Sequence, residues 1–191
     1  MPARLVVLAS GTGTLLQSLI EAVGTGALDA QIVAVGSDDA SAMALDRARD
    51  AGIPVFTMVP ADFPDRTAWN AALTERVAAS EPSWVVCAGF MRILGPAFVT
   101  RFRGRIVNTH PALLPSFPGA HAVRDTLTHG VKVTGCTVHL VDDGVDTGPI
   151  LAQRALPIHP GEDQAALHER IKELERPLLV ETLALLIGED E

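Results

Sequence analysis

Asn108 and His110, two residues apart at the end of an apolar run, bring an amide donor and an imidazole to the head of "PALLPSFPG". Those two groups suit one kind of work, stabilising a developing oxyanion and moving a proton. A lone histidine is more often structural, so the reading needs a partner for it. The acidic, glycine-containing "DDGVDTGP" offers Asp142, Asp143 and Asp146, and a carboxylate beside an imidazole favours its charged form. Composition alone makes each of the three an ordinary solvated turn residue, and spacing does not select among them. Asn108 and His110 are expected on opposite sides of Thr109 in an extended strand, with the turn at Pro111 needed to bring them together. Pro115 and Pro118 would then hold that loop still at low entropic cost.

A second pattern, "SGTGT" at 10–14, falls between an apolar run and a helical one, so backbone N–H groups gather at a positive helix N-terminus. Leu16 stands where a dinucleotide fingerprint has its third glycine, and the Gly-Lys-Ser/Thr ending of a triphosphate loop is missing, so a phosphate monoester fits best. A plain tight turn capped by Ser10 or Thr14 is the competing reading. His110, His121, His129 and His139 form no compact ligand motif with the acids, and no metal is expected. A nucleophile-elbow signature for serine chemistry is absent too.

The elements that must position these residues alternate. "RLVVLA" (4–9), "AQIVAVG" (30–36), "PVFTMV" (54–59), "SWVVCAG" (83–89) and "GRIVN" (104–108) read as strands. Helical patterns follow "SGTGT" and cover "SAMALDRARDAG" and "DRTAWNAALTERVAAS". The alternation predicts an α/β fold, an open doubly wound, mostly parallel, Rossmann-like sheet with ligands beyond the strands' C-terminal ends. A helix from about His121 to His129 precedes "KVTGCTVHLV" and "PILAQRALPI", an antiparallel hairpin near the C-terminus with a long loop. The last helical pattern, 162–187, contains Pro177, which is expected to kink or split it.

A length of 191 residues predicts a single domain, 1–191, with a phosphate-binding N-terminal half to about residue 100 and a catalytic half beyond it. A formal charge of −8 removes the broad basic surface that nucleic acid needs. Cys87 and Cys136 sit in apolar runs without metal-type spacing, which fits buried thiols in a reducing, cytoplasmic compartment. No apolar run is long enough for a membrane span, so small molecules are the expected partners, with a homodimer as the expected assembly if there is one.

Taken together, "SGTGT", "GFMRILGPAFV", "NTHPALLPSFPG" and "DDGVDTGPI" resemble the folate-dependent formyltransferases, in their phosphoribosylglycinamide branch. The resemblance runs from Arg4 to about Ile187 in matching order. It implies the formyltransferase-type fold and transfer of formyl from 10-formyltetrahydrofolate, as co-substrate, to the amine of 5-phosphoribosylglycinamide in purine biosynthesis, with no metal. By matched position, Asn108, His110 and Asp146 become the catalytic residues, with Asp146 favouring the charged imidazole. Gly11, Thr12, Gly13, Thr14 and Leu15 become the substrate-phosphate turn, and Leu15 replaces the family's frequent Asn, leaving binding to backbone donors. Glu175 matches an acid at the glycinamide end; read alone, it is a surface glutamate on a helix face. Arg66, Met91, Arg92, Ile93 and Leu94, with Asn108, Asp142 and Asp146, become the folate site; read alone, 91–94 is a strand-end turn.

Methionyl-tRNA formyltransferase and formyltetrahydrofolate deformylase are the nearest rivals. The first should need added basic surface and the second typically carries an N-terminal regulatory domain. A non-catalytic sugar-phosphate module would use the glycine turn and leave Asn108, His110 and Asp146 unexplained.

Overall fold

Strand-forming and helix-forming segments alternate through the first two thirds of the chain, and the computed structural model, which describes residues 1–189, follows that alternation. The elements in order are β1 (Ala3–Leu8), α1 (Thr14–Gly24), β2 (Ala30–Ser37), α2 (Met43–Asp50), β3 (Val55–Thr57), α3 (Arg66–Ala78), β4 (Trp84–Cys87), α4 (Pro96–Arg101) and β5 (Ile106–His110). Then come α5 (Ala122–His129), β6 (Val133–Leu140), β7 (Ile150–Pro157) and α6 (Gln164–Glu189). One seven-stranded sheet has the order β3-β2-β1-β4-β5-β6-β7. Its first five strands are parallel, and β6 and β7 each pair antiparallel with the strand before.

Both faces of the sheet are covered, and the period-two alternation of the strands divides the core. Leu5 and Val7 of β1 face a cluster built with α1, α2 and α6, including Leu16, Leu45 and Leu179. Val6 and Leu8 face the opposite cluster, with Trp69 and Leu73 of α3 and Phe98 of α4. Asp65 caps α3 by accepting the Ala68 amide at 2.8 Å, and the buried Trp69 donates its indole N–H to the Met58 carbonyl at 2.7 Å. Cys87 and Cys136 are buried, and burial pushes both thiols up to about 12, which leaves them inert at neutral pH.

Three local readings change. The third strand shrinks to Val55–Thr57 at the sheet edge, and an unannounced helix, α4, starts on Pro96 in its first turn. Pro177 does not split the last helix: α6 is assigned unbroken over 26 residues. Ile171 and Glu175 before the proline and Leu178, Leu179 and Leu183 after it lie on one buried face, and α6 packs along α1, β6 and β7. Tertiary packing outweighs the N–H that proline lacks.

Candidate active site

Chain direction in β5 settles how the two leading residues meet. The strand runs through to His110, and residues two apart in a strand share a face, so Asn108 and His110 project together and Thr109 projects oppositely. The expectation that a turn at Pro111 must bring them together is therefore corrected. Both line a pocket of about 270 Å³ beyond the end of β4, together with Met91, Leu94, His139 and Asp146.

The His110 ring is held at both nitrogens. Nε2 lies 2.8 Å from the Phe117 carbonyl, and Nδ1 lies 3.4 Å from Oδ2 of Asp146. Each ring nitrogen therefore faces an acceptor oxygen. The Asp146 oxygen is itself fixed by the Gly119 amide at 2.7 Å. Phe117 and Asp146 both have a φ of 55°, the left-handed region that side chains rarely adopt, so both anchors of the ring sit on strained backbone. Of the three loop acids, Asp146 alone reaches the imidazole: Asp142 accepts from the Gly144 amide and the Thr147 hydroxyl, and Asp143 pairs with Arg103 at 3.2 Å. The Thr147 and Gly144 hydrogen bonds hold the Asp142 carboxyl below its usual value.

The loop after Pro111 is pinned from β6. The buried Thr137 hydroxyl donates to the Ala112 carbonyl at 2.7 Å and accepts the Leu114 amide at 3.0 Å, and Gln153 donates to the Leu114 carbonyl at 2.9 Å. Hydrogen bonds from β6 and β7 thus hold this stretch from outside the loop.

His139, weighed above only as a metal ligand, belongs to the site. It stands opposite Asn108 in the β5–β6 ladder, with Nε2 at 3.1 Å from the Asn108 amide nitrogen and Nδ1 at 2.9 Å from the Leu140 carbonyl. Burial is the main influence on this ring and holds its pKa below the usual histidine value. No sequence signal pairs residues 108 and 139, because strand register is needed for that. Among the described residues no group of three or more His, Cys, Asp or Glu is placed to hold a metal ion.

The wall opposite is the turn after β4. Its Met91 amide donates to the Ser10 hydroxyl at 2.8 Å and its Arg92 pairs with the buried Asp38 at 2.6 Å. Arg66 is not among the pocket's lining residues: it stacks over Trp69, 4.7 Å from the ring centroid, and its guanidinium donates to the Ile93 carbonyl. Met91 and Ile93 expose large apolar side chains at the mouth, at 68% and 66%.

The glycine turn stands apart from this pocket. Gly13 is the left-handed residue before α1 (φ 69°), and a Cβ there would meet Ala44 at 2.7 Å, so this place needs glycine. No side chain caps α1, and the Ser10 hydroxyl is taken by Met91, which removes the capping alternative and leaves the first helical N–H groups without a side-chain partner. Leu15 is buried in the core. Arg47 of α2 donates to the Thr12 carbonyl at 2.8 Å, a cation beside the turn that sequence reasoning missed because it lies on another helix.

Glu175 is no surface residue. It is 4% exposed on α6, and burial raises its carboxyl to about 7, the charge of Lys172 offsetting only part of that.

An open, mostly parallel sheet closed by an antiparallel hairpin, with an amide, two histidines and a carboxylate converging beside an apolar wall, is the setting in which the comparisons fall. The model of the formyl transferase family matches residues 3–183. A phosphoribosylglycinamide formyltransferase of Mycobacterium tuberculosis is 60% identical over 185 residues, 97% of this chain and 85% of the relative. One from Escherichia coli is 39% identical over 184 residues, 95% of this chain and 87% of the relative. The crystal structure of glycinamide ribonucleotide transformylase 1 from Symbiobacterium toebii superposes with a TM-score of 0.96 at 44% identity, covering 98% of this chain and 89% of that one. The chain belongs to the formyl transferase family, in its phosphoribosylglycinamide formyltransferase branch.

Proposed function

We propose that the protein transfers the formyl group of 10-formyltetrahydrofolate to the amine of 5-phosphoribosylglycinamide, giving the N-formyl product and tetrahydrofolate. The observation that carries the reading is the convergence of Asn108, His110 and Asp146 from β5 and the β6–β7 loop into one pocket. The names of the branch's relatives point to the formyl acceptor, phosphoribosylglycinamide.

Formyl transfer forms a bond from the amine nitrogen to the formyl carbon and breaks the bond from that carbon to the folate nitrogen, passing a proton from the amine to the leaving nitrogen. Asn108 has an N–H to donate to the carbonyl oxygen as charge builds there, and a positively charged His110 stabilises the same oxygen. Since both His110 nitrogens are engaged, the ring acts through its charge unless the Phe117 carbonyl is released. Asp146 balances that charge and assists the proton's passage. The apolar side chains of Met91, Ile93 and Leu94 and the loop from Asp142 to Asp146 hold the folate rings, with main-chain groups reading their polar edge. Arg92 and Arg66 brace this wall. The Gly11–Leu15 turn holds the substrate phosphate on backbone N–H groups at the start of α1, with Arg47 behind it, and Glu175 receives the glycinamide end.

The test is a two-substrate assay without added metal ion, following tetrahydrofolate and the N-formyl product together. Equal, amine-dependent formation of both is expected. Tetrahydrofolate released at the same rate without the amine would make the protein a hydrolase and overturn the reading.

A further inference from the structure

We propose that His139 is a positioning residue: as the neutral Nδ1–H tautomer it accepts a hydrogen bond from Asn108 and so turns that amide's nitrogen, rather than its oxygen, toward the reacting carbonyl. The proposal rests on the reading of Asn108 given above. An asparagine amide has nearly the same shape either way round, so something must choose between donor and acceptor at the pocket. The choice is made one strand away.

His139 is 2% exposed and lies directly across the ladder from Asn108. Its Nδ1 is 2.9 Å from the Leu140 carbonyl, which can only accept, so Nδ1 carries the hydrogen. On a neutral ring Nε2 is then a lone pair, and the Asn108 atom 3.1 Å from it must be the NH2 nitrogen. That nitrogen has a second N–H, which is left for the pocket that Asn108 lines. Burial supports the neutral ring by penalising charge on it.

Protonation would leave the Leu140 bond in place and reverse the one to Asn108. An Nε2–H would call for the Asn108 oxygen, presenting an acceptor where the others need a donor. It would also compete for Asp146, whose Oδ1 is 3.7 Å from Nε2 while Oδ2 serves His110. His110 from β5 and Asp142 and Asp146 from the β6–β7 loop are the charged groups that act on the ring. A neutral His139 keeps Asn108 facing forward and keeps Asp146 for His110.

The decisive experiment uses the full chain labelled with 15N-histidine. Long-range 1H–15N spectra at pH 7.5 are expected to show His139 as the Nδ1–H tautomer, with the solvent-exposed His159 as an internal contrast. An Nε2–H tautomer or an imidazolium at that pH overturns the proposal. In kinetics, His139→Phe is expected to lower kcat by about tenfold or more, up to the roughly 10²–10³ seen when an oxyanion donor is removed outright, with folate KM moving less than about twofold. His139→Gln, whose carbonyl can accept from Asn108, is expected to recover part of that loss. Unchanged kcat in His139→Phe, or no recovery in His139→Gln, overturns the proposal. Should His139→Phe fail to fold, the spectra of the unaltered protein decide. Loss of amine-dependent transfer in the unaltered protein would remove the functional reading, while the tautomer would still report on the hydrogen bond.

Discussion

Oδ2 of Asp146 lies 3.4 Å from Nδ1 of His110 and accepts the Gly119 amide at 2.7 Å, so one carboxylate oxygen ties the β6–β7 loop both to the imidazole and to the loop that follows it. Two stretches distant in sequence, 110–119 and the β6–β7 loop, are thereby locked around one ring. Asp146→Asn can still accept from Gly119 but carries no charge to balance an imidazolium. Its kcat is expected to fall by about 10² or more, while the folate dissociation constant changes by less than about threefold. Steady-state kinetics beside equilibrium folate binding check this. Equal losses in the two would reduce Asp146 to a residue that orders the loop.

Glu175 makes stability depend on pH. Its carboxyl titrates at about 7 in the folded protein and 4.5 when exposed, so the folded state keeps a proton that the unfolded chain releases. The associated stability is fully present below pH 4.5 and lost as pH rises through 7, an amount on the order of 3 kcal/mol. Glu175→Gln, which stays neutral, is expected to unfold at higher urea than the unaltered protein at pH 8 and to match it near pH 4. If the unfolding midpoints of the two proteins run parallel across that range, Glu175 is not holding the extra proton.

Thr137→Val keeps shape and removes the hydroxyl that serves Ala112, Leu114 and Gln153. Leaving the Leu114 amide and the Ala112 carbonyl without that partner is expected to cost about 1–3 kcal/mol. For a chain of this size Tm should drop by roughly 2–4 °C per kcal/mol, read from a thermal melt. A melt indistinguishable from that of the unaltered protein would mean that the proline loop is held by other contacts.

Gly13→Ala places a methyl 2.7 Å from the Ala44 backbone in a left-handed conformation. About 1–3 kcal/mol of strain is expected at the turn, so KM for phosphoribosylglycinamide should rise about tenfold while folate KM stays within about twofold. Initial-rate kinetics with each substrate varied separates the two. A matched rise in both constants would place the glycine turn outside the phosphate site.

The fold was legible because its signals are local. "RLVVLA" followed by glycines and a 3.6-residue apolar pattern yields β1 and α1 without knowledge of the rest of the chain. The split that Pro177 allowed for is absent because continuity there is decided by packing on α1, β6 and β7, which local sequence does not carry. Asn108, His110 and Asp146 were singled out by motif, and the structure brings them together, yet the strand geometry that aligns Asn108 with His110 was read the wrong way round. His139 and Arg47 were out of reach for a different reason: each acts on a residue more than thirty positions away, across a ladder or between helices.

Phe117 and Asp146, the two left-handed residues that grip His110, carry a message for anyone trying to make this enzyme more heat-resistant. Glycine at either place would relax the chain and look like an improvement by the measure of backbone preference alone. At Asp146 glycine would remove the carboxylate beside the imidazole, and at Phe117, where the backbone carbonyl stays, it would free the loop to carry that carbonyl away, so thermostability would be gained against turnover. Those two positions are the ones to leave untouched in any library built for robustness.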